Sequence, residues 1–245
     1  MSGFRLPKVI GHRGAAAYAP ENTLEGIREA ARRGARWVEV DAKLTADGVV
    51  ILMHDDTLDR TTTGRGAVAA ASHAAIAALD AGAWFGADWR GIVVPTLVDA
   101  LMLLAELDMQ SNIEIKPCPG REAETARAVV DVIRRHWADG RPWPLLSSFS
   151  LLSLAVVRDT ARGWPRGLLT WEYVAHWAST ADELGCVSIH CAEQHLNPEW
   201  ADQIRQAGYG LAVYTVNDPA RAVALSAWGA QCIISDRPDA VLAGL

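Results

Sequence analysis

Short apolar runs alternate with amphipathic stretches eight times along this chain, and no other feature limits its fold so tightly. Strand, helix and strand in repeated succession make a parallel sheet, because each parallel strand needs a crossover of about a dozen residues to return. The pattern predicts strands at residues 9–12, 37–44, 112–116, 144–148, 166–170, 186–190, 211–216 and 231–235. Alternation is plainest in the second, where Val38, Val40, Ala42 and Leu44 share one face and Glu39, Asp41 and Lys43 the other. Helix signals follow the strands. Asn22 with Glu25 reads as a cap before the stripe Leu24, Ile27 and Ala31, and Thr96 with Asp99 opens another helix. Asn197-Pro198 and Asp218-Pro219 start two more. Eight such units in 245 residues predict an α/β protein, a (β/α)8 TIM barrel occupying residues 1–245 as one domain. The rival, a doubly wound open sheet, would need a phosphate-binding GxGxxG turn, which this sequence lacks.

One stretch breaks the rhythm. Residues 49–54 follow the second strand after only Thr45-Ala46-Asp47-Gly48, which is too short for a crossover and carries a hairpin signal. They must therefore run antiparallel, and counting about the turn sets His54 level with Asp41. From there to about residue 94 the chain has turn chemistry and no βα unit, so we expect an insertion, about 49–94, between strand 2 and helix 2.

Charge removes several classes of function. With 23 basic and 29 acidic residues the net charge is −6, and no basic field exists to hold nucleic acid. The four cysteines show neither CxxC nor zinc spacing and read as reduced core thiols. Residues 1–8 hold no apolar leader, and no run reaches the ~18 apolar residues of a membrane span. The expectation is a cytoplasmic protein without stable membrane association.

In such a barrel, chemistry sits at the C-terminal ends of the strands. Glu39 and Asp41 there share a face, with Glu114 on the neighbouring strand. Adjacent buried carboxylates repel, so either basic partners or a cation must compensate. An all-oxygen set suits a hard ion such as Mg²⁺ or Ca²⁺; the alternative is a salt-bridge network with Lys43, Lys116 and Arg13. His12 and His54 fall at the same rim and suit proton transfer near neutral pH. Arg13 and Lys116 offer fixed positive donors for an oxyanion. Together these point to phosphoester hydrolysis. Phe149, Trp84 and Tyr214 are candidates for lining the substrate pocket, and His190 either lines it or bonds within the core.

In order along the chain stand Gly11-His12-Arg13-Gly14, Pro20-Glu21-Asn22-Thr23, Glu39-x-Asp41, the Asp47-Gly48 turn and His54-Asp55. Glu114-Ile115-Lys116, Ser148-Phe149, Thr215-Val216-Asn217 and Ser235-Asp236 follow. This succession resembles the glycerophosphodiester phosphodiesterase family, in particular its short cytosolic bacterial form, from residue 9 to about 238. Val98 and Ser235 depart from the family pattern without touching the central residues. The resemblance implies that His12 and His54 are the acid/base pair, and that Glu39, Asp41 and Glu114 hold one divalent metal ion. It also implies that Arg13 and Lys116 bind the phosphate of a small glycerophosphodiester. Hydrolysis would be assisted by the substrate's own 2-hydroxyl. A barrel amidohydrolase is disfavoured, since it would want His-x-His on the first strand. A catalytically inert phosphate-binding barrel serving as an interaction module is the other alternative.

Overall fold

A computed structural model describes residues 4–245; Met1, Ser2 and Gly3, the start of the stretch read for a leader, lie outside the described residues. The strands are β1 (Val9–Gly11), β2 (Trp37–Leu44), β3 (Val50–Leu52), β4 (Gln110–Ile115), β5 (Leu145–Ser148), β6 (Arg166–Thr170), β7 (Ser188–Ala192), β8 (Gly210–Tyr214) and β9 (Cys232–Ser235). All pairings are parallel except β2 with β3, and β1 pairs with both β2 and β9, which closes an eight-stranded barrel. The barrel predicted from the strand count is the barrel observed. Register at the seam matches Gly11 with Val38 on one side and with Ser235 on the other.

Helices surround the barrel: α1 (Leu24–Arg32), then α3 (Leu97–Glu106), α4 (Glu122–His136), α5 (Leu151–Thr160), α6 (Trp177–Glu183), α7 (Pro198–Gln206), α8 (Pro219–Ala227) and α9 (Pro238–Gly244). A short α2 (His73–Ala77) belongs to the excursion after β2. Capping follows the sequence signals at α3, where Thr96 and Asp99 form a reciprocal box, and at α7 and α8, capped by Asn197 and Asp218. At α1 the structure corrects the expectation. Thr23 is the cap, accepting from the Gly26 amide, while Asn22 has φ 55°, outside the extended conformation a cap residue adopts.

The two faces of β2 explain the architecture. Val38, Val40, Ala42 and Leu44 pack outward with Leu97, Leu101, Leu104, Ile113 and Ile133 in one apolar layer between strands and helices. Glu39, Asp41 and Lys43 point inward and are buried. Next to β2 around the barrel, Ile10 of β1 forms an apolar cluster with Ala212 of β8 and Cys232 and Ile234 of β9. All four cysteines are buried free thiols.

The β2–β3 hairpin runs antiparallel, as the short turn demands, with Ala42 opposite Leu52. The amide of Met53 donates to the Asp41 carbonyl at 2.9 Å, so Met53 is level with Asp41 and His54 lies one residue beyond. The excursion has its own small core of Ile51, Met53, Leu58, Val68, Ile76 and Val94. It is tied to the barrel by the fully buried Lys43, whose ammonium donates to Asp56 at 2.6 Å. Among the described residues, no helix is long and apolar enough to cross a membrane.

Candidate active site

The loop after β1 can form only because two glycines allow close approach. A Cβ on Gly11 would lie 2.2 Å from the Gly14 carbonyl oxygen, and one on Gly14, at φ 94°, would strike the Gly26 backbone of α1. This tight turn sends the Arg13 amide to Glu39, to which it donates at 3.0 Å, and leaves His12 at the barrel mouth. A cavity of about 490 Å³ opens there, lined on one side by His12, Arg13, Glu39, His54, Glu114 and Lys116. Phe149, Leu169, Trp171, Tyr214 and Ile234 line the other.

Glu39, Asp41 and Glu114 each bring a carboxylate oxygen within 4.8 Å of the others. Their environments differ. Asp41 is buried, which alone would raise its pKa, but Arg13, Lys116, His54 and a hydrogen bond from Asn22 outweigh burial and hold it below the ordinary carboxylate range. Burial and the neighbouring charges of Asp41 and Glu114 push Glu39 well above that range. Glu114, raised by burial and by Asp41 against the pull of Lys116, is pushed up to about 7. The ammonium of Lys116 lies 2.9 Å from Glu114 and 3.7 Å from Asp41. Of the three basic partners foreseen as an alternative, Lys116 and Arg13 reach the cluster and Lys43 turns to Asp56 instead, and the two present do not balance it. Glu39 Oε1 is buried without any hydrogen-bond partner. An unpaired buried carboxylate oxygen facing two other carboxylates is what a hard, oxygen-ligated cation would satisfy.

Both histidines are held in the same way. His12 Nδ1 lies 2.7 Å from Asp236, whose other oxygen accepts from the Asn217 amide. His54 Nδ1 lies 2.7 Å from Asp55, which is in turn gripped by Arg60. Each ring is oriented through Nδ1, so Nε2 is left for the cavity. Burial, opposed by Asp41, sets the His54 pKa below its ordinary value, which favours the neutral ring. Arg13 donates to Glu21 at 2.7 Å and has Nε 3.4 Å from Asp41.

Two expected pocket residues lie elsewhere. Trp84 does not line this cavity: its indole donates to the Ala81 carbonyl and its ring packs edge-on against Phe85 within the excursion. His190 is fully buried inside the barrel, 2.9 Å from Ser188 Oγ, and burial lowers its pKa to about 4. It is a neutral core residue. Phe149 and Tyr214 do line the cavity, with their rings edge to face. Sequence reasoning missed Asn22, which clasps Asp41 by accepting from its amide and donating to its carboxylate. It also missed the orienting roles of Asp55, Asp236 and Asn217, and the rim residue Trp171.

Comparison with known proteins decides what the site belongs to. Residues 12–240 match the model of the glycerophosphoryl diester phosphodiesterase family. The chain belongs to that family. A glycerophosphodiester phosphodiesterase of Caldanaerobacter subterraneus subsp. tengcongensis is 32% identical over 96% of both chains. One from Bacillus subtilis is 32% identical over 94% of this chain and 83% of its own. The fold superposes with a TM-score of 0.95 on an Oleispira antarctica phosphodiesterase in complex with the product sn-glycerol-3-phosphate. That protein is 34% identical, with 98% of this chain and 96% of that chain covered.

Proposed function

We propose that the cavity hydrolyses glycerophosphodiesters to glycerol 3-phosphate and an alcohol, with His12 and His54 exchanging protons with the reacting oxygens. The observation that carries this reading is the pair of histidines, each held at Nδ1 by a carboxylate, at the mouth of a barrel whose wall bears three converging acids. Residues 1–245 would act as one domain, with the excursion over 49–94 supplying the second histidine.

Glu39, Asp41 and Glu114 would hold one divalent ion, Mg²⁺ or Ca²⁺, which when bound offers Lewis-acid stabilisation of charge on the phosphoryl oxygens. Lys116 and Arg13 supply fixed positive charge for the phosphate. One histidine takes the proton of the glycerol 2-hydroxyl, whose oxygen attacks phosphorus, and the other protonates the departing alcohol. Water then opens the cyclic phosphate as the two rings exchange roles.

Release of glycerol 3-phosphate from glycerophosphocholine is expected to stop with EDTA and return with Mg²⁺ or Ca²⁺. His12→Ala and His54→Ala are each expected to lower kcat by roughly 10²–10⁴-fold with the fold intact by circular dichroism. The analogue lacking the 2-hydroxyl is expected to be inert. Normal turnover of that analogue would replace hydroxyl attack with direct attack by water, and a folded, metal-supplied protein that cleaves no glycerophosphodiester would refute the function.

A further inference from the structure

Lys43 is the third inward-facing residue of β2, after Glu39 and Asp41, and it is fully buried. Lysine is almost never fully buried unless paired, because taking its charge out of water is expensive. Packing does not account for it here. Ile51 stands opposite it on β3 and the Cys118 thiol lies beside it, both buried members of the excursion's apolar core, which a side chain without charge would suit as well. Among the described residues Lys43 makes no ion pair with Glu39, Asp41 or Glu114. Its ammonium donates to Asp56 Oδ1 at 2.6 Å and to Cys118 Sγ at 3.9 Å. Asp56 lies two residues past His54 on the hairpin arm, and its carboxylate is exposed. At the start of the same segment the Met53 amide donates to the Asp41 carbonyl. Residues 53–56 are thus fastened twice to one strand, by backbone at Asp41 and by side chain at Lys43. Between the two fastenings stand His54 and Asp55, the carboxylate that orients its ring. Arg60 bonds this segment to Glu21, before α1, whereas Lys43 bonds it to the barrel wall.

We propose that Lys43 is a positioning residue for the reaction: through Asp56 it fixes where the hairpin arm sets His54 against the cavity. The inference rests on the function proposed above, and it concerns a side chain that does not line the cavity. A buried ion pair adds little to stability over an apolar side chain of the same size, so what this one supplies is the placement of the arm.

Three variants test it, each read by kcat and KM on glycerophosphocholine, by Tm and by hydrogen exchange. Lys43→Met keeps the volume and removes the charge, and the Asp56 carboxylate it leaves behind is already exposed to water. Its Tm is expected to equal or exceed the native value. Its kcat is expected to fall by about 10- to 10²-fold with KM nearly unchanged, the loss that misplacing a reacting group by roughly 1 Å brings. Exchange should quicken over residues 53–68 and hold in β2 and β4. The rise in Tm given by Mg²⁺ or Ca²⁺ should survive, which separates the arm from the acidic cluster. Asp56→Asn leaves the ammonium buried without its counter-charge and should lower both kcat and Tm. Joined in one chain, the two changes should restore Tm while kcat falls no further than in Lys43→Met, since both act through one contact. Native kcat in Lys43→Met, or unchanged exchange over residues 53–68, would overturn the proposal. So would a loss of kcat that comes with lower Tm and faster exchange throughout the barrel, which would make Lys43 a packing residue. A native chain that cleaves no glycerophosphodiester would refute the reaction, whereas the exchange comparison needs no turnover and judges the fastening of the arm by itself.

Discussion

In the proposed reaction three carboxylates and two imidazoles carry the chemistry, and the residues behind them decide whether they work. Asp236→Asn keeps the shape and loses the charge that orients His12; kcat is expected to fall by about 10²-fold or more with KM nearly unchanged, read from initial rates on glycerophosphocholine. Glu39→Gln tests the acidic cluster without turnover. Relieving a buried carboxylate that has one oxygen unpartnered should raise metal-free stability by on the order of 1–4 kcal/mol. The same change should abolish the rise in Tm that Mg²⁺ or Ca²⁺ gives the native chain, both measured by thermal unfolding with and without EDTA. At this scale the sequence was legible where period 2 applies: Glu39 and Asp41 must share a face of one strand, and His12 must end another. It was not legible where the contact runs between loops. Asn22 looks like a cap because an acidic residue stands three positions later, and only its positive φ shows that it serves Asp41 instead. Trp84 sits in a segment with no regular register from which to count, and nothing local says that its indole closes a turn.

Among the elements, the hairpin arm is the unusual part, because it brings His54, one of the two histidines of the proposed reaction, to the barrel mouth from outside. Arg60 staples it down, bonding Asp55 on the arm and Glu21 before α1. The Arg60 bond, opposed by burial and aided by His54, holds Asp55 well below the ordinary carboxylate range. Burial would raise Glu21, but Arg60 and Arg13 outweigh it and lower it as well. Carboxylates depressed in the folded state stabilise it above their unfolded pKa near 4, and that stability is lost as pH falls through the folded values. Arg60→Ala should therefore cost up to about 1 kcal/mol at neutral pH, with the difference from the native chain vanishing in strong acid, as followed by urea unfolding across pH. A stronger anchor lies at the N-terminal end of β6. There the buried Arg166 forms no ion pair with a carboxylate among the described residues and donates instead to the carbonyls of Leu184, Gly185, Trp164, Ala161 and Arg162. Arg166→Met would remove the donor from the carbonyls of Leu184, Gly185, Trp164 and Arg162, while Ala161 keeps the Trp164 amide, and should cost about 2–4 kcal/mol in the same assay, with little effect on KM. The sequence showed β6 and its boundaries, but it gave no sign that the first residue of that strand binds the turns around it.

For the molecule as a whole, eight repeats of one motif predicted the closed barrel, because each unit buries its apolar face only between two others. What repetition does not reveal is how its ends meet. β1 is clasped by β9, and His12 takes its orienting carboxylate from Asp236, 224 residues away along the chain. A chain ending before residue 231 lacks both the closing strand and that carboxylate, and is expected to be inactive and to expose its apolar interior, as judged by dye binding and circular dichroism. Synthesis runs the other way from what the proposed reaction needs: His12, the first of its two histidines to be made, waits for the segment that follows the last strand. Domains tend to organise from the N-terminus as they are made, but here the β1 edge and the His12 ring both wait for residues 232–236, so the arrangement around His12 is completed only when the end of the barrel is in place.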